Sequence, residues 1–150
     1  MSPFDSENVP NISLYNYLER INKYAKCSDA CFVIAYIYIR RVLDITSFIL
    51  SKQNMYRVTL AAILTAIKFT DDLYANNKSY AVIGGVEVDE INKMESCMLA
   101  LLEFSLFVDQ ELYFKTLTEL SSHVEKEKDK NLKSLRLIGT IETLASNNEE

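Results

Sequence analysis

The sequence predicts an all-α fold: one five-helix domain built around a buried third helix, with room for a further helix near the C-terminus. Three observations carry this. Only three glycines and two prolines occur in 150 residues, so little interrupts long helices. Apolar residues recur at three- and four-residue spacing in several segments. Between Val58 and Phe69 they cover almost the whole circumference of a helix, as expected for an element at the middle of a bundle.

Residues 1–12 read as a flexible leader ending at Val9-Pro10-Asn11. The first helix is predicted from Ser13 to Lys26, with Ser13 as N-cap and Leu14, Tyr17, Leu18 and Ile21 on its inner stripe. A second start signal follows at Ser28-Asp29. The stretch Cys31 to Ile39 is ambiguous, because its β-branched and aromatic residues also suit a buried strand. Its continuation through Arg40-Arg41-Val42-Leu43 favours a buried helix to about Ile45. Asn54 is the expected cap of the third helix, which reaches Asp71 or Asp72. Leu73 to Ser79 carries loop signals, and Tyr80 to Ile83 makes one short turn stopped by Gly84-Gly85. Asp89 opens a fourth helix with Ile91, Met94, Met98 and Leu102 on one face. Leu106 to Asp109 connects it to a fifth, with Tyr113, Leu117, Leu120 and Val124 in register. The main domain is therefore expected over residues 13–124. Residues 125–150 form a mixed-charge linker and a candidate C-terminal helix without a clean stripe.

Composition narrows the function. A net charge of −5 argues against broad contact with nucleic acid or anionic membrane, which want clustered Lys and Arg. The longest apolar run, Ala30 to Ile39, is half of the roughly 20 residues a membrane-spanning helix needs. Cys27, Cys31 and Cys97 form no disulfide framework and are expected in buried apolar packing in a reducing cytoplasmic or nuclear setting. No phosphate-binding glycine loop is present. The single histidine, His123, lacks the Glu-x-x-His pairing of a di-metal bundle and reads as a surface residue. No catalytic residue, metal, cofactor or small-molecule substrate is expected.

Two charges stand out. Glu95 falls among Ile91, Met94, Met98 and Leu102, where an unpartnered carboxylate is costly. Lys68 closes the apolar third helix in line with Ala61, Leu64 and Thr65. The plain alternatives are a salt bridge inside the fold for Glu95 and an i,i+4 pair with Asp72 for Lys68.

Several segments, in order, resemble the P-type cyclins, a single-box group related to fungal phosphate-response cyclins and common in protists. They are Ile12 to Ile21 with Lys23-Tyr24, Cys31 to Arg41, Asn54 to Arg57 and Ala66 to Tyr74. Tyr80 to Val86, Glu90 to Glu95 and Leu101 to Phe104 complete the match, which spans roughly residues 12–120. The resemblance implies a cyclin box and a non-catalytic regulatory subunit. Such a subunit binds and allosterically activates a cyclin-dependent protein kinase in cell-cycle or nutrient-response control. It also implies that Lys68 and Glu95, left exposed without partners in the free chain, grip the kinase beside its regulatory helix. Phe69, Met98, Leu99, Tyr113 and Phe114 join the expected contact set by helix adjacency. Arg40 stands where the group usually has an aspartate, which questions how the first two helices are held together. The hydrophobic docking motif that cell-cycle cyclins carry on helix one is not evident, so no substrate docking through that groove is expected. The alternatives are a helical interaction adaptor with no kinase partner, which kinase capture would distinguish, and a small helical enzyme, which a bound metal or ligand would reveal.

Overall fold

The structure, a computed structural model, describes residues 2–122. It contains helices α1 (Leu14–Ala25), α2 (Ala30–Ile45), α3 (Met55–Thr70), α4 (Asn77–Gly84), α5 (Val88–Leu101) and α6 (Gln110–Ser122), and no strand among the described residues. The all-α expectation holds, with one helix more than predicted. His123, Val124 and the segment 125–150 lie outside the described residues.

Helix α3 is the centre. Twelve of its sixteen residues are buried, so it has no solvent face until its last turn. It packs on α2 and α5, while α1 packs on α4, α4 on α5 and α6 on α2. Its alanines at 61, 62 and 66 are almost fully buried and add little bulk between neighbouring helices. The buried hydroxyls of Thr59 and Thr65 donate to the carbonyls four residues back, Met55 and Ala61, which satisfies them inside an apolar interior.

The segment Cys31 to Ile39 is helical and buried throughout, which settles the strand ambiguity. Ser13 caps α1 as predicted, its hydroxyl accepting from the Asn16 amide at 3.1 Å. Asn54 does not cap α3. Its side chain instead accepts from Ser51 N at 2.8 Å and donates to Ile49 O at 3.0 Å, tying down the loop before the helix. Helix α5 starts at Val88, just before Asp89, and the Glu87 amide donates to the Glu90 carboxylate at 2.9 Å.

Two expectations need correction. The turn predicted at Tyr80–Ile83 is a full eight-residue helix, α4, because Asn76 caps it by accepting from the Ser79 amide at 3.0 Å. The stretch read as a leader packs against the fold. Phe4 is fully buried with its ring edge-on to Phe48 at 5.8 Å, and the Ser6 amide donates to Gln53 O at 3.2 Å. No described helix is long and apolar enough to cross a membrane.

Candidate functional site

The end of α3, the start of α4 and the middle of α5 meet around one polar cluster. Lys68 Nζ lies 2.8 Å and 3.0 Å from the two oxygens of Glu95. Asn77 Nδ2 donates to Glu95 Oε2 and to Asn92 Oδ1, each at 2.7 Å. Three helices are thus joined by one carboxylate. The Lys68 and Glu95 side chains are 27% and 18% exposed, so the pair sits at the rim of the core within reach of solvent. Asn77 Oδ1 is buried and has no hydrogen-bond partner. Its own Nδ2 is fixed by two acceptors, so this carbonyl stays a buried, unsatisfied acceptor beside the ion pair.

The expectation of two charges left without partners in the free chain is therefore corrected: each is the other's partner, across 27 positions of sequence. The stripe Ile91, Met94, Met98 and Leu102 is buried, and Glu95 stands at its edge. Met98 is fully buried, which withdraws it from the contact set: it points into the core while Glu95 and Leu99 lie toward the rim. Phe69, next to Lys68, is 52% exposed, and Leu99 is half-buried. Tyr113 is half-buried and Phe114 is exposed, their rings edge-on at 5.5 Å. They are carried by α6, which packs on α2, and so belong to a different helix pair from Lys68 and Glu95.

Sequence reasoning missed Asn77, which lay in a stretch read as loop, and the exposed Leu73, Tyr74, Phe104 and Phe107. Leu73 and Tyr74 follow α3 directly. Phe104 and its neighbour Glu103 adopt left-handed backbone, φ 57° and 52°, a costly conformation for residues other than glycine. The bend at the end of α5 leaves the Phe104 ring in solvent. An aromatic just past the last stripe residue of a helix was the available signal.

The connector after this bend is firmly held. Arg41 donates to the carbonyls of Ser105 and Phe107, both at 2.9 Å, and Tyr38 donates to Leu106 O at 2.8 Å. Arg40, in the position of the usual aspartate, lies 3.8 Å from Asp44 on the same helix in an exposed pair. Among the described residues no group of His, Cys, Asp and Glu has the arrangement of a metal site. The three cysteines are free. Cys31 is buried, but its setting is not purely apolar: its thiol donates to Asp71 at 3.5 Å, and Ser28 Oγ lies 3.3 Å away. Burial pushes the Asp71 carboxyl up, but donation from the Ser28 hydroxyl and amide outweighs it and leaves the group below its ordinary value.

The Cyclin family model matches residues 1–106. Cyclin-U3-1 of Arabidopsis thaliana is 43% identical over 110 residues, covering 73% of this chain and 50% of the relative. Cyclin-U1-1 of the same plant is 38% identical over 132 residues, covering 87% and 61%. Cyclin-P3-1 of Oryza sativa subsp. japonica is 38% identical over 110 residues, covering 73% and 47%. The chain thus spans about half to three fifths of the length of these relatives. With the helical box, the buried α3 and these matches together, the chain belongs to the cyclin family and is of the P/U type.

Proposed function

We propose that this cyclin is a regulatory subunit that binds a cyclin-dependent protein kinase and switches it on, in control of division or of nutrient response, in the cytoplasm or nucleus. The observation that carries the reading is the Lys68–Glu95–Asn77 cluster. It is an ion pair at the rim of the core, 27% and 18% exposed, with a buried unpartnered amide oxygen beside it, at the junction of three helices, next to the exposed Phe69. A backbone segment of a partner finds there a donor, an acceptor and an apolar contact together. Paired in the free chain, the two charges cost little to hold in place, and each keeps capacity for a further hydrogen bond.

Activation is allosteric on this reading. The cyclin binds the kinase conformation in which the catalytic lysine and the regulatory-helix glutamate are paired, and it binds this state more tightly than the inactive one. A hundredfold change in the active population requires about 2.7 kcal/mol of differential binding, within reach of one desolvated charge contact at about 2–5 kcal/mol.

The test is co-purification of the full chain with cyclin-dependent kinases of its own cell, followed by kinase assay with and without the chain. The expected result is recovery of one kinase and stimulation of its activity. The Lys68→Ala/Glu95→Ala variant, still folded by circular dichroism, should lose both. Recovery of no kinase by a folded chain would support the adaptor reading instead.

A further inference from the structure

Two cysteines meet where the chain passes from α1 into α2. Lys26 leaves α1 in left-handed backbone, φ 51°. The chain then turns tightly: the Cys31 amide donates to Ser28 O at 3.1 Å and the Phe32 amide to Asp29 O at 3.3 Å. Cys27 enters this turn and Cys31 leaves it at the start of α2, and their thiols are hydrogen-bonded to each other. Cys27 is half-buried and within reach of solvent, while Cys31 is fully buried. The turn is clamped to the end of α3. Ser28 donates to the Asp71 carboxylate from its amide at 3.0 Å and from its hydroxyl at 2.6 Å, and the Cys31 thiol donates to it at 3.5 Å. Asp71 closes α3, three residues after Lys68. The third cysteine, Cys97, is on α5.

We propose that Cys27 and Cys31 are a redox modification site, which a low-molecular-weight disulfide converts to an intrachain disulfide that releases Cys31 from Asp71. The Cys27 sulfur attacks one sulfur of the small disulfide. A mixed disulfide forms, the small disulfide's own bond breaks, and its other half leaves as a thiolate that takes the Cys27 proton. The Cys31 sulfur then attacks the Cys27 sulfur. The Cys27–Cys31 bond forms, the mixed bond breaks, and the second small thiolate leaves with the Cys31 proton. Two protein thiols are oxidised and one small disulfide is reduced to two thiols. Exposure sets the order, because solvent reaches Cys27 and not Cys31. The hydrogen bond between the thiols supports it: with burial it pushes Cys27 above the ordinary thiol range, and it holds Cys31 below that range. Cys27 therefore rests as a protonated thiol, and Cys31 has the thiolate character the closing step needs. A disulfide sulfur has no proton to donate, so oxidation takes one donor from Asp71 and leaves the clamp to Ser28. The site is separate from the Lys68–Glu95 pair, and the inference does not rest on kinase binding.

The test equilibrates the full, folded chain in mixtures of reduced and oxidised glutathione, then alkylates the remaining thiols and digests with trypsin. Cleavage after Lys26 and Arg40 puts Cys27 and Cys31 on one peptide and Cys97 on another. The peptide 27–40 should escape alkylation and be lighter by two hydrogens than its reduced form. In the oxidised ¹⁵N-labelled chain the Ser28 and Asp71 amide signals should shift, and reductant should return them. Cys31→Ser keeps the accessible sulfur and should hold glutathione on Cys27. Cys27→Ser should leave the buried Cys31 unmodified, and glutathione found on Cys31 there overturns the order of attack. The proposal is overturned if the thiols of the folded chain stay open to alkylation, if the disulfide closes only after denaturant unfolds the chain, or if either sulfur pairs instead with Cys97 or a second chain. A disulfide that leaves the Asp71 amide unmoved overturns the release of Cys31 from Asp71.

Discussion

Exchanging the two charges of the α3–α5 pair separates what it does for the fold from what it does for a partner. In the native chain both side chains are roughly three-quarters buried or more, and the ammonium meets both carboxylate oxygens. The cost of breaking the pair lies between the ~0–1 kcal/mol of exposed pairs and the ~3–5 kcal/mol of buried ones. We expect Glu95→Ala to lose about 1.5 kcal/mol, a fall of about 3–6 °C in Tm for a chain of this size. Lys68→Glu alone should cost more, because it sets two carboxylates against each other. Combining Lys68→Glu with Glu95→Lys restores opposite charges. The Asn77 amide can then turn its unpartnered Oδ1 toward the ammonium at position 95. The exchanged chain should therefore recover at least half of the stability lost by Lys68→Glu, a coupling that thermal melts of the single and double variants measure directly. Kinase binding should not recover, because a partner that reads the polarity of the pair meets it reversed. A loss of at least about 30-fold in Kd is expected, by calorimetry or kinase activation, from a contact of about 2 kcal/mol or more. Binding within threefold of the native chain would refute recognition of the pair and leave it as a fold element. A Tm unchanged in Glu95→Ala would refute its role in joining the helices.

Other perturbations test other contacts. In Gly84→Ala the new Cβ would stand 2.4 Å from Leu60 Cδ2 in the core. Overpacking of about 1–3 kcal/mol exceeds the ~1 kcal/mol gain in helix propensity, so chemical denaturation should give a net loss of about 1 kcal/mol. Tyr17→Phe removes the 2.9 Å donation to Gly84 O that ties α1 to α4 and should cost about 1–2 kcal/mol in the same assay. Phe104→Gly relieves a left-handed residue and should raise stability by about 1 kcal/mol in chemical denaturation. The Asp71 carboxyl titrates below its unfolded value because Ser28 donates to it, so its contribution is complete above about pH 4 and is lost as pH falls further. The stability difference between the native chain and Ser28→Ala should accordingly shrink in melts below pH 4.

Much of the fold was legible because it follows from local patterning. The stripes of α1 and α5 and the all-round apolar surface of α3 each dictate burial without knowledge of a neighbour. Helix α4 was obscured because Asn76-Asn77-Lys78-Ser79 is polar in the way both a loop and a capped first turn are polar, and only the cap geometry separates them. Phe4 has no periodic neighbours to signal that it is buried, since its place depends on Phe48, distant in sequence. At the site, sequence marked Lys68 and Glu95 as misplaced charges but could not show that they meet, because pairing across 27 positions is a tertiary fact. Glu95, Met98 and Leu99 share one side of a helical wheel. Which of them reaches solvent is decided by where α3 lies against α5, and that placed Met98 inside.

The grip of α2 on residues 105–107 has a thermodynamic consequence for any protein that docks there. Successive carbonyls are fixed by Arg41 and Tyr38, so the stretch between α5 and α6 is already in one shape before an encounter. Phe104 and Phe107 are displayed from a rigid ledge, and little chain entropy remains to be lost when they are covered. A surface held in this way would need fewer contacts to bind a partner than a floppy surface of the same area.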